Sequence, residues 1–72
     1  MNPGASHRLR RALSRPARAE LLRRIGDGLT QRRMVLDFRV SRVTAEELAH
    51  DGLFAPEVAT RIEGLLLGGT ES

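Results

Sequence analysis

Apolar residues recur at three- and four-residue spacing in two stretches of the chain. Ala17, Leu21, Leu22, Ile25 and Leu29 mark the first, with Arg18, Glu20, Arg23 and Arg24 off that line. The spacing predicts a helix over about 15–26. Ser14 suits its N-cap, and Pro16 fits the first turn, where a missing N–H breaks no bond. Glu20 and Arg24 form a favourably oriented i,i+4 pair. Gly26-Asp27-Gly28 should end the helix, because glycine takes the left-handed backbone that closes helices. The second stretch, Val58, Ala59, Ile62, Leu65 and Leu66, predicts a helix over about 56–67, opened by Pro56 and closed by Gly68-Gly69. Gly64, inside this helix, costs roughly 1 kcal/mol relative to alanine and marks a place where another backbone could approach closely.

Between these helices the period changes to two. Met34, Leu36, Phe38 and Val40 alternate with Val35, Asp37, Arg39 and Ser41, which predicts a β-strand over about 33–43. Thr44-Ala-Glu-Glu47 reads as a capping box, so a short helix over about 45–50 follows, ended by Asp51-Gly52. The expected fold is therefore mainly α with one strand, in the order helix, strand, helix, helix. A lone strand leaves unpaired backbone edges, and pairing with another copy would satisfy them in an intertwined homodimer. Leu36, Phe38, Val40, Val58, Ile62 and Leu65 are the expected core or dimer residues. The domain is expected over 15–68, after a flexible or weakly helical basic arm at 1–14 and before a flexible tail at 69–72.

The chain has 72 residues and no cysteine, so it buries only about 60% of the surface of its unfolded form and has no disulfide to compensate. His7 and His50 lie far apart, and scattered carboxylates give no metal-ligand spacing. A partner chain is the remaining support. The longest apolar run, Leu65-Leu66-Leu67, is far short of a membrane span. The first 19 residues, with five arginines and no acid, overlap in composition with organellar transit peptides and equally with an arginine-rich bacterial arm. The expected location is the cytoplasm of a bacterium.

All twelve basic residues are arginines, and their placement is lopsided. Residues 1–42 hold eleven arginines against three carboxylates, a balance of +8, whereas residues 43–72 hold Arg61 against six, a balance of −5. Arginine donates bidentately to phosphate and keeps its charge at physiological pH. Arg8, Arg10, Arg11, Arg15, Arg18, Arg23, Arg24, Arg32, Arg33, Arg39 and Arg42 are thus the expected nucleic-acid contacts. Phe38 and Phe54 are the only aromatic residues and sit in apolar patterns, which disfavours base stacking on single strands. Duplex DNA is the preferred partner, ahead of structured RNA. The alternative is an adaptor or assembly protein whose basic front half docks on an acidic protein. No enzymatic role or cofactor is expected: there is no cysteine nucleophile, no lysine and no phosphate loop, and His50-Asp51 has no pocket around it in the sequence pattern.

The segment from Val43 to Glu63 resembles a bacterial helix-turn-helix. Thr44-Ala-Glu-Glu-Leu-Ala49 matches the first motif helix and Val58-Ala-Thr-Arg-Ile-Glu63 the end of the recognition helix, which implies DNA-binding transcription regulation of plasmid or phage type. By element order, residues 33–67 also resemble the ribbon-helix-helix regulators. That likeness implies an obligate dimer with a two-stranded ribbon in the major groove, presenting Asp37, Arg39 and Ser41 to base edges. Val35-Leu-Asp-Phe38 leading to Thr44 resembles the strand-to-helix segment of STAS domains, which would imply a protein-binding module.

Overall fold

The computed structural model describes residues 9–68, so Arg8, His7 and the expected tail at 69–72 lie outside the described residues. Four helices follow one another: α1 (Arg15–Gly26), α2 (Gln31–Phe38), α3 (Arg42–Ala49) and α4 (Pro56–Leu67). α1 and α4 occupy the residues where their spacing predicts them. Gly28 has a φ of 111° after α1, and Gly68, with a φ of 66°, closes α4 in the left-handed conformation. α1 packs against α4, while α2 packs against both α3 and α4.

The expected strand is overturned: there is no strand among the described residues, and most of the segment is the helix Gln31–Phe38. Met34 and Phe38 are buried and lie four apart, a spacing that both periods permit. Leu36, which period two places beside them, faces solvent at 66% exposure. Local chemistry supports the helix. The Thr30 hydroxyl accepts from the Arg33 amide at 3.2 Å, capping α2, and Arg33 pairs with Asp37 one turn on. Without the strand, the strand-paired homodimer, the ribbon-helix-helix order and the STAS-like strand-to-helix segment lose their structural basis.

Two caps also differ from expectation. α3 begins at Arg42, because Ser41 is its N-cap and accepts from the Thr44 amide at 3.1 Å. Thr44 therefore lies inside the helix, and its hydroxyl accepts from Ser41. Ser14 precedes α1 without a side-chain cap. Its amide instead donates to a Glu63 carboxylate oxygen at 2.8 Å.

The core gathers residues from every element: Leu13, Ala17 and Leu21; Met34 and Phe38; Val40; Ala45 and Leu48; Phe54; and Ala59, Ile62 and Leu66. Ala17, Ala45 and Ala59 are fully buried, small residues that fill their places with little volume. Of the six expected core or dimer residues, Phe38, Val40 and Ile62 are buried and Val58 is partly buried against the core. Leu36 and Leu65 are exposed in this chain, so they are not core, since the helical period turns each of them off the buried line. Beyond its chain neighbours and its own helix backbone, no described atom lies within 4 Å of where a Cβ on Gly64 would sit, so among the described residues no other backbone approaches that glycine.

Candidate nucleic-acid interface

α2 and α3 are joined by only three residues, Arg39, Val40 and Ser41. Arg39 turns the chain with a φ of 56°, in the left-handed region that residues bearing a Cβ seldom adopt. Val40 is buried and ties the turn to the core, and Ser41 starts the next helix. A short helix, a three-residue turn and a second short helix thus occupy residues 31–49. The segment that resembles a helix-turn-helix in the sequence, 43–63, folds otherwise. Its two helices, α3 and α4, are separated by the six residues 50–55. That longer connection is held on the segment before α1 by an antiparallel bridge, with the Arg11 amide donating to the Phe54 carbonyl at 2.9 Å and the reverse bond at 2.8 Å.

The α2–α3 pair exposes a groove of about 610 Å³ lined by Gln31, Arg32, Val35, Leu36, Arg42 and Ala45. On α3, Arg42, Val43, Glu46 and Glu47 are exposed, with Val43 at 69%, while Ala45 and Leu48 face inward. Val43, Glu46, Glu47 and the exposed His50 follow the i, i+3, i+4, i+7 spacing of a single helix face. This face combines an apolar side chain with carboxylates, which accept hydrogen bonds but repel phosphate.

The arginines divide into two kinds. Arg11 donates bidentately to Glu63 at 2.6 and 2.9 Å and also reaches the Thr60 hydroxyl at 3.1 Å. Arg10 bonds the Leu53 carbonyl. Arg18 bonds the Leu48 carbonyl and lies 3.6 Å from Asp51. Arg23 pairs with Glu20 and Asp27, Arg24 with Glu20 and the Leu66 carbonyl, and Arg33 with Asp37. Among the described residues, the side chains of Arg15, Arg32, Arg39 and Arg42 have no hydrogen-bond or ion-pair partner. Three of these four lie on the α2–turn–α3 unit. The structure therefore separates the expected phosphate contacts by context, with unengaged guanidinium groups concentrated at 32–42.

The pairings also shift protonation. Hydrogen bonds from Arg23 and then Arg24 lower the Glu20 carboxyl from its ordinary 4.5 to about 2. The Arg11 hydrogen bond, assisted by the Ser14 amide, holds Glu63 below its ordinary range, and Glu63 reciprocally raises Arg11.

Two residues at this site escaped the sequence reading. Gln31 sits at the start of α2 in the groove, and a strand placed over 33–43 hid the helix start that presents it. Arg61 was the lone base of an acidic half, yet its guanidinium donates to the Arg39 carbonyl at 2.9 Å. Only a period-3.6 reading of 31–38 would have disclosed the turn that Arg61 reaches. No group of three metal-ligating side chains occurs among the described residues, and no described helix is long and apolar enough to cross a membrane. No protein-family model matches the chain, and no curated protein or solved structure is significantly similar to it.

Proposed function

We propose that this chain is a cytoplasmic, non-enzymatic DNA-binding regulator in which α2, the three-residue turn and α3 act as a helix-turn-helix. The observation that carries this reading is the coincidence of a tight helix pair with unpartnered arginines. Two short helices joined by three or four residues are the form in which a second helix enters the major groove. Arg32, Arg39 and Arg42 would take phosphates on either side of it, with Arg15 as a further contact. Val43 and Glu46 would face base edges, an apolar group towards a thymine methyl and a carboxylate towards a cytosine amine. A homodimer on two half-sites is the simplest working form, since each copy presents one short helix.

The test compares arginines of the two kinds. Affinity for duplex DNA, RNA and heparin is measured between about 50 and 200 mM salt for the wild type, the triple variant R32A/R39A/R42A and R23A. Each lost phosphate contact should reduce the slope of log affinity against log salt by about 1, so the triple variant should lose about three units while R23A matches the wild type. Absence of binding to any polyanion at low salt, or a triple variant indistinguishable from the wild type, defeats the proposal.

One observation favours a second reading. Leu36 and Val43 are exposed beside Arg32 and Arg42, an apolar patch with basic neighbours that would suit an acidic amphipathic segment of a protein partner. An adaptor of that kind should show no preference among the three polyanions.

A further inference from the structure

A helix that reads bases must be held in place at both ends, because a small displacement removes base contacts without removing attraction to the backbone. α3 is flanked by the two non-glycine residues with left-handed backbone among those described, Arg39 at 56° before it and Asp51 at 63° after it. Such conformations persist where surrounding contacts hold them. An arginine from a long helix meets each one. From α4, Arg61 donates to the Arg39 carbonyl at 2.9 Å. From α1, Arg18 lies 3.6 Å from the Asp51 carboxylate and donates to the Leu48 carbonyl at 3.2 Å, in the last turn of α3. A cation there also complements the partial negative charge of the helix C-terminus.

We infer that Arg18 and Arg61 are positioning residues that fix the two ends of α3 on the α1–α4 pair, and that they set sequence discrimination without binding phosphate. The inference rests on the helix-turn-helix reading above. It removes Arg18 from the phosphate contacts expected on charge alone, and it gives Arg61, the single base of the acidic half, a role in the basic one. Both guanidinium groups are directed at main-chain or side-chain oxygens of this chain, whereas Arg42 is not.

The experiment begins by selecting a preferred duplex from a random pool with the wild-type protein. Affinities for that duplex and for an unrelated one are then measured across salt for the wild type, R18M, R61M, R61K and R42A, at a temperature where circular dichroism shows each folded. R18M and R61M should each bind the preferred duplex about 10-fold more weakly, a loss comparable to one mismatched base pair, with unrelated-duplex affinity and salt slope unchanged. R61K should recover part of the loss, since an ammonium can donate to the same carbonyl. R42A should weaken binding to both duplexes and lower the slope by about 1. Amide exchange adds a readout independent of DNA: R61M should speed exchange at 42–45 and R18M at 48–52, leaving α1 and α4 protected.

If R18M and R61M lower both affinities together with the slope, they are phosphate ligands and the inference is wrong. Unchanged discrimination with unchanged exchange overturns it equally. Failure of the wild type to bind any duplex is a different outcome, because it sinks the helix-turn-helix reading itself and takes this inference with it.

Discussion

The α1–α4 pair and the α2–α3 pair use the same residue type in opposite ways. In and around the long pair, arginine joins parts of the chain: Arg11 to Glu63, Arg24 to Glu20 and the Leu66 carbonyl, Arg23 to Glu20 and Asp27. On the short pair, Arg33 pairs with Asp37, but the side chains of Arg32, Arg39 and Arg42 meet no partner among the described residues. A balance of +8 in residues 1–42 is therefore a poor guide to where a polyanion would sit. What counts is the positive charge left after internal pairing, and three of the four arginine side chains without a partner lie on the α2–turn–α3 unit, with Arg15 on α1 the fourth. Exposed pairs such as Arg23–Asp27 add little stability, whereas the Arg11–Glu63 contact is better enclosed, with the Glu63 side chain only 16% exposed.

The sharpest way to break this comparison is to ask whether the short pair is helical at all. A strand over 33–43 puts Leu36 and Phe38 on one face and makes them costly to truncate alike. The helix separates them, with Phe38 buried and Leu36 exposed. Phe38→Ala should cost about 3–5 kcal/mol, most of the stability on the order of 5 kcal/mol expected for a chain this size. Leu36→Ala should stay within about 0.5 kcal/mol. Urea unfolding followed by circular dichroism measures both, and equal losses would restore the strand.

Much of the long pair was legible because its elements carry several independent signals. α4 has a proline at its start, a glycine after its end and an apolar stripe twelve residues long between them. α2 is only eight residues, and over so short a window Met34, Leu36, Phe38 and Val40 satisfy period two as well as Met34 and Phe38 satisfy a helix. That ambiguity also displaced the cap of α3 from Ser41 to Thr44. The division of the arginines was not legible for a different reason. Arg11 reaches Glu63 52 positions away, Arg24 reaches Leu66 42 positions away and Arg61 reaches Arg39 across 22, separations that no local pattern encodes.

The long pair should also respond to acid through its paired carboxylates. Glu63 and Glu20 have folded carboxyl pKa values below their ordinary 4.5, Glu20 at about 2. A carboxyl lowered on folding contributes stability that is fully present above its unfolded pKa and is lost as pH falls through the folded one. Stability should thus decline from about pH 4.5 downwards. Glu63→Gln, which leaves Arg11 and the Ser14 amide with a weaker acceptor, should cost about 1–3 kcal/mol near neutral pH and flatten that decline. Arg32→Ala should leave the acid profile unchanged. Melting temperatures taken from pH 6 to pH 3 decide the matter: an E63Q profile parallel to that of the wild type would show that the pair contributes nothing specific.

The smallest expected effect tests whether the long pair is complete within one chain. Gly64 is exposed on α4, and among the described residues nothing beyond its own helix lies within 4 Å of the place its Cβ would occupy. In a monomer, Gly64→Ala should therefore stabilise the protein by about 1 kcal/mol, since alanine loses less backbone entropy in a helix and meets no obstacle. A glycine kept in a helix interior for a second copy's backbone would behave in the opposite way. The added methyl would then push the copies apart, and its cost would depend on protein concentration, because association contributes to apparent stability by mass action. Melting curves of wild type and G64A at two concentrations a hundredfold apart separate the cases. A gain that is the same at both concentrations confines Gly64 to the single chain, and leaves the exposed Leu22, Leu65 and Leu67 as the surface on which a dimer contact must be sought. A loss that grows with concentration would instead place the contact on the Gly64 face of α4, and the α1–α4 pair would then be half of a larger core.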